Sequence, residues 1–375
     1  MTPSYTRWLW LREADLSARR LVQQGEGAAG PTNWGPQAKL TAGAFSGTCY
    51  VDMDDAVSRR DALIRLGAAG ITLAGAGALG RLAYDRGGYE VLRARGERQV
   101  RDFTARPESS AVKMAIAKSS EQPEILVQRA LQALGGMKRF ISRGDIVAVK
   151  PNIGWDRLPV HAANTNPRVV AEVVRLALDA GAKQVIVTDA SCNEPNRCFQ
   201  RSGIWRAAHD VGATVILPAA HRFREIRMRG DVLDTWLVYT PLVNADKVIN
   251  VPVAKHHNLS KFTGGMKNWY GLLGGRRNRL HQSINISIAD LATFMRPTLT
   301  VMDATRVLLR NGPQGGNIDD AKDLHQVIAS LDPVAVDAYG ATLIGVQPQA
   351  VEYLSLAAER GLGNAHWDQV SHVEV

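Results

Sequence analysis

The chain has 375 residues, 45% of them hydrophobic and 22% charged, and carries a formal net charge of +9 at pH 7. This is the composition of an ordinary globular protein, long enough for two domains or for one large α/β domain with additions. The positive charge points to an anionic partner, while the lack of a zinc finger, an RNP-like aromatic motif or a basic base-reading helix argues against nucleic acid. Cys49, Cys192 and Cys198 are the only cysteines. They make no disulfide framework and no CxxCxxC cluster motif.

Residues 1–52 show no sustained hydrophobic period; Trp8, Trp10 and Trp34 are scattered among Arg, Gly, Pro and Ser. They read as disordered, or as an extension upstream of a start at Met53. Residues 53–83 change character: Ser58-Arg59-Arg60-Asp61-Ala62-Leu63 precedes a Gly/Ala-rich apolar run, Leu66–Leu79. A charged segment ahead of an apolar stretch shorter than the ~20 residues of a membrane span reads as a targeting signal. The arginine pair resembles a Tat signal, which implies export through the Tat translocon to a periplasmic or extracytoplasmic location, with membrane contact only through this segment. No clean A-x-A site follows Leu79, so an uncleaved anchor is also consistent with it. Residues 84–110 read as a linker or mature N-terminus.

From residue 111 onward the pattern is α/β. Val112–Ala117 is a short β run, and apolar spacing predicts a helix over Glu124–Phe140. A strand over Asp145–Val149 is expected to stop at Pro151. Asn166 or Thr165 caps the next helix with Pro167 in its first turn, Gly181 ends it, and Gln184–Thr188 is the following strand. Phe199–Val211 reads as a helix, Thr214–Leu217 as a strand, and Glu225–Met228 with Thr235–Tyr239 as a hairpin. Val248–Val253 is the central strand, expected to open into a polar, cationic loop. Gly265–Leu273 is a short helix or turn, and Ser283–Phe294 a helix. Pro297–Met302 is a strand ending at Asp303, and Gln326–Leu331 another strand. Asp332 with Pro333 starts a helix, and a further helix follows Val346. The fold class is α/β: a mostly parallel, Rossmann-like layered sheet with helices on both faces and a small antiparallel addition.

Ligands of such sheets bind at the strand carboxyl ends. Lys150, Asn152, Asp189 and Ser191 fall there, and so does the stretch VINVPVAKHHNLSKFTGGMKNWYGLLGG at 248–275. The candidate substrate-binding residues are Lys150, Asn152, Asp189, Lys255, Asn268 and Arg276. Their cations, with the glycine clusters at Gly264-Gly265, Gly274-Gly275 and Gly312–Gly316, suit a small phosphate- or carboxylate-bearing ligand. No P-loop or GxGxxG pattern is present. The candidate catalytic residues are Lys267, a lysine whose pKa partial burial would lower, His256, which titrates near neutrality, and Asp303, which would orient it. His257 and His281 share that chemistry, but neighbours on an extended chain point apart, so at most one of His256 and His257 faces a shared ligand. No metal-ligand spacing is recognised. Asp332 reads as a helix cap, and Asp337 as facing either the cleft or water.

Five segments, at 147–152, 165–191, 248–275, 302–316 and 330–345, resemble in order the motifs of the DUF362 family, domains without an established general function. The resemblance spans residues 111–375 and implies the fold and the site without naming a reaction. Some members carry a ferredoxin-like 4Fe–4S module; this chain lacks the cysteines for it, and its cofactor is open. The functional expectation is an enzyme acting on a small anion. The alternatives are a non-catalytic anion- or cofactor-binding protein, or a redox-associated protein without its own cluster.

Overall fold

In the computed structural model the chain divides into two units, Met1–Tyr84 and Asp85–Val375. The residues described are 112–375, 100–105, and Arg60, Leu63 and Ile64, the last three helical. The twin-arginine segment otherwise lies outside the described residues, as do residues 1–52. Among the described residues no helix is long and apolar enough to cross a membrane.

The strands are β1 (Met114–Lys118), β2 (Ile146–Pro151), β3 (Gln184–Val187), β4 (Thr214–Val215), β5 (Phe223–Arg227), β6 (Thr235–Tyr239), β7 (Lys247–Val251), β8 (Val253–His257), β9 (Lys261–Thr263), β10 (Leu299–Leu308), β11 (Ala321–Ser330) and β12 (His372–Glu374). Ten of them form one sheet in the order β12-β1-β11-β10-β7-β2-β3-β4, with β8 beside β10 and β9 beside β8. Along the main path only β11 runs against its neighbours. β5 and β6 make the separate antiparallel hairpin. The helices are α1 (Pro123–Ala133), α2 (Pro167–Asp179), α3 (Pro195–Arg201), α4 (Ile204–Asp210), α5 (Thr240–Val243), α6 (Gly265–Asn268), α7 (Ile284–Phe294), α8 (Pro333–Leu343) and α9 (Glu352–Glu359).

Strand alternation divides the apolar side chains between two cores, one on each face of the sheet. Val147, Val149, Ile249, Val251, Leu299 and Val301 pack with Leu126 and Leu131 of α1 and Val169, Val170 and Val173 of α2. Ala148, Val248 and Met302 take the other face, with Ile284, Ile288 and Leu291 of α7, Val334 of α8 and Leu354 of α9. The Asn166 side chain caps α2 by accepting from Arg168 N–H, and Gly181 follows the helix at φ +107°. This is the Pro-start, Gly-end pattern.

Several expected boundaries shift. β2 runs past Val149 but stops at Pro151 as expected, where Pro151 pairs with Val251 at the strand end and its missing N–H costs least. Gly135 and Gly136 take positive φ and end α1 short of Phe140, and Gly203 splits the expected 199–211 helix into α3 and α4. β10 does not end at Asp303 but continues to Leu308 beside β11. Within residues 84–110, read as a linker or mature N-terminus, Phe103 is buried in the core and Arg101 is 3.1 Å from Asp246.

Candidate functional site

The cationic stretch after β7 is not a loop. After Pro252 the chain resumes as β8, which pairs with β10 and then turns back as β9. On β8 the alternation places Lys255 and His257 on one side and His256 on the other. Lys255 and His257 are buried and lie in each other's electrostatic field together with Lys267. His256 turns toward the glycine-rich loop after β10, where its Nδ1 accepts from Gly312 N–H at 3.3 Å. The two histidines therefore point apart as expected of neighbours on a strand, and the one facing the lysines is His257, not His256.

α6 lies across the ends of β2 and β7, held from below by α8. Asp337 accepts from the N–H groups of Gly265 at 2.5 Å and Met266 at 3.0 Å. A Cβ at Gly264 would sit 2.3 Å from Asp337 Oδ1, so only glycine allows this approach. Asp337 faces neither cleft nor water: it is fully buried, and desolvation pushes its carboxyl up to about 7. Asp332 caps α8 as expected, accepting from Val334 and Ala335 N–H.

Anchored this way, α6 presents Asn268 to a polarised relay of amides. Asn250 Nδ2 donates to Gly265 O (2.8 Å), Asn268 Nδ2 to Asn250 Oδ1 (2.8 Å), and Asn152 Nδ2 to Asn268 Oδ1 (3.1 Å). Lys255 Nζ ends the relay by donating to Asn152 Oδ1 (3.2 Å) and to Ala163 O (2.5 Å). Each amide both donates and accepts, and Asn268 Nδ2 donates a second time, to Lys150 O at 3.2 Å, which fixes the orientations.

Three lysines meet here, each with a different counterpart. Lys150 is wholly buried and 2.8 Å from Asp189 Oδ1, while Asp189 Oδ2 accepts from Ile153 N–H at 2.7 Å. Gly271 closes over this pair: a Cβ there would lie 1.8 Å from Asp189 Oδ1 and 2.7 Å from Lys150 Nζ. Lys255 has only neutral oxygens as hydrogen-bond partners, with the Trp155 ring 6.0 Å from its Nζ, and burial lowers its pKa to about 7. Lys267 is 7% exposed and sits 4.2 Å over the Tyr270 ring. No carboxylate or hydrogen-bond acceptor among the described residues reaches its ammonium, and burial lowers its pKa to about 8.

Asp303 does not join this cluster. As an odd-numbered residue of β10 it points with Val301 to the α1/α2 side. There it accepts from Asn166 N–H (2.7 Å), Thr305 N–H (2.9 Å) and Thr305 Oγ1 (2.7 Å). Burial raises its pKa. It lines a separate cavity of about 330 Å³ with Asn164, Asn166, Thr305 and Arg306. Asp303 thus acts as a positioning residue: it holds Asn166, next to Thr165, whose Oγ1 accepts from Asn152 N–H at 2.8 Å. The Arg276 side chain is exposed and makes no hydrogen bond among the described residues. The next residue, Arg277, donates to the carbonyls of Ala190 (2.7 Å), Ser191 (2.6 Å), Tyr270 (2.9 Å) and Leu273 (3.2 Å). It also lies 3.4 Å from Cys192 Sγ. Cys192 and Cys198 are free thiols; Cys198 is buried, and desolvation raises its pKa to about 11. Among the described residues no three His, Cys, Asp or Glu side chains are grouped to hold a metal ion.

Asn250, His257, Tyr270 and Arg277 were not among the selected site residues. The β-type alternation of residues 253–257 was the available signal for His257; nothing local marks Asn250 among its apolar neighbours.

A mostly parallel α/β sheet with buried lysines gathered at its strand carboxyl ends defines the class of protein. The chain belongs to the family described as "Domain of unknown function (DUF362)", whose model matches residues 147–342. It is 25% identical over 252 residues to the thylakoid-associated protein sll1697 of Synechocystis, covering 62% of this chain and 73% of that protein. Among solved structures, the lactate racemase apoprotein from Thermoanaerobacterium thermosaccharolyticum matches with a TM-score of 0.36 and 12% identity. That match covers 64% of this chain and 58% of the racemase chain.

Proposed function

We propose that this protein is an enzyme acting on a small phosphate- or carboxylate-bearing molecule, whose charge pairs with Lys267. The carrying observation is Lys267, a residue 7% exposed whose ammonium has neither carboxylate nor hydrogen-bond acceptor beside it among the described residues. A buried charge without a counter-ion is costly, and a ligand anion removes that cost. The carbonyl-bound Arg277 guanidinium and Lys255 add to the positive field. With Lys255 near 7 and Lys267 near 8, both exchange a proton close to neutral pH, as an acid–base catalyst requires. The Lys150–Asp189 pair, sealed under Gly271, supports the site without meeting the ligand.

Isothermal titration with inorganic phosphate and with acetate, on wild type and Lys267→Met, tests the anion site. Saturable binding of one anion by wild type, weakened at least tenfold in the variant, is the expected result; equal binding by both proteins sinks the reading. Turnover is tested afterwards on compounds bearing the preferred group. We further propose export by the Tat route, motivated by Arg59-Arg60 ahead of the apolar run. The check is a reporter fused after residue 110: export that survives replacing both arginines with lysine would refute it.

A further inference from the structure

Two imidazoles lie beside Lys267, and the backbone sets the role of each. His257 Nδ1 accepts from the N–H groups of Leu259 (3.1 Å) and Ser260 (3.2 Å), so its proton is on Nε2, which donates. His281 Nδ1 is 3.2 Å from Asn278 O, a bond that requires the proton on Nδ1, so Nε2 of the neutral ring accepts. The rings stack with centroids 6.1 Å apart and 17° between their planes. His281 also packs edge-on against Tyr270 at 5.5 Å, the ring that carries the Lys267 ammonium on its face at 4.2 Å. Burial first, and then the field of Lys267, keep both rings neutral: His257 falls to about 2, and His281 is lowered too. Neither Nε2, nor Lys267 Nζ, has a hydrogen-bond partner among the described residues. A donor, an acceptor and a cation are thus left free along one run of rings, His257 on His281 and His281 on Tyr270.

We propose that His257 and His281 read a hydroxyl group on the anion that Lys267 binds. A hydroxyl oxygen accepts from His257 Nε2–H while its proton is donated to His281 Nε2; a ligand without it leaves both nitrogens unpaired. The ligand class is therefore a small phosphate or carboxylate with a hydroxyl close to its charged group. This inference rests on the anion-site reading of Lys267.

The test is calorimetry at pH 7 with two matched pairs: acetate against glycolate, and ethyl phosphate against 2-hydroxyethyl phosphate. The hydroxylated member of the pair that binds is expected to bind about tenfold tighter, the worth of about 1.4 kcal/mol of hydrogen bonding. Which pair binds tells carboxylate from phosphate. In His281→Phe, which keeps a ring against Tyr270, the ratio within that pair is expected to fall to about one. Nitrogen-15 NMR of the wild-type imidazoles gives a readout independent of any variant: His257 unprotonated at Nδ1, His281 protonated there. Equal affinities within the pairs, or the opposite tautomers, overturn this inference while leaving the anion site standing. If none of the four compounds binds, the anion site falls and this inference with it.

Discussion

Replacing Lys267 by methionine is expected to make the unliganded protein more stable. Burial pulls the Lys267 pKa from 10.5 to about 8. Its folded value lies below its unfolded one, so the unfolded chain binds more protons between those two pH values. Wild-type stability therefore gains from this group as pH rises from about 8 to about 10.5; below about 8 the penalty is present in full. At about 1.4 kcal/mol per pH unit, the drop from 10.5 to about 8 corresponds to about 3 kcal/mol. Methionine fills similar space but gives up the cation–π contact with Tyr270, worth about 1–2 kcal/mol in a desolvated setting. The net expectation at pH 7 is a gain of about 1–2 kcal/mol. Urea denaturation across pH 7 to 10.5 measures it: the variant leads at pH 7, and wild type closes the gap toward the upper end. A variant less stable than wild type at pH 7, with a parallel pH dependence, would refute the reasoning, because the ammonium would then have a compensating partner.

Three further changes test how the site is held. Gly271→Ala drives a methyl group into Asp189 and Lys150; opening that pair is expected to cost about 3–5 kcal/mol in urea denaturation. Asp337 binds its proton more tightly in the folded state, up to about 7 from 3.8, so wild type should lose stability as pH rises through that window. Melting temperatures of Asp337→Asn should fall less steeply than wild type across it, and a loss as steep as wild type would place the charge elsewhere. Arg277→Ala strips donors from the carbonyls of Ala190, Ser191, Tyr270 and Leu273 and is expected to cost about 2–3 kcal/mol, whereas exposed Arg276→Ala should stay within about 0.5 kcal/mol by the same denaturation assay.

The fold was legible because apolar periodicity and cap residues act locally. Asn166-Pro167 and Asp332-Pro333 mark helix starts wherever they occur, and the strand-end positions of Lys150, Asn152 and Asp189 follow from strand length alone. What misled was side. Grouping Asp303 with the lysines used its place along β10 but not its parity. Val301 and Asp303 share the α1/α2 face, so no bend short of a bulge brings Asp303 over to Lys267. The same alternation, applied to Val253–His257 as a strand, selects His257 over His256; reading the stretch as a loop discarded it. Arg276 and Arg277 differ by nothing local. Only the closeness of the Ala190-Ser191 carbonyls to this turn, a long-range pairing set by Ala190 N–H donating to Gly271 O at 3.0 Å, decides which arginine is drawn in.

The three lysines form a graded series that says where a ligand's charge must go. Lys150 has a carboxylate, so a second anion there would face Asp189. Lys255 has two neutral oxygens, which satisfy its donors but not its charge. Lys267 has an aromatic face, which offers attraction without accepting a hydrogen bond. Burial lowers Lys255 further than Lys267, to about 7 against about 8, but the donors of Lys255 are already engaged, so Lys267 is where an anion binds without a protein bond being broken first. The pairing restores the proton affinity that burial took away. Binding must then draw a proton onto Lys267 wherever the free protein has lost it, above about pH 8. By linkage, affinity for the anion falls as pH rises past that point, by up to tenfold per pH unit. A pH series of titrations on wild type shows this as a downward break near pH 8. An affinity that stays level to pH 10 would mean that the anion binds without the Lys267 ammonium.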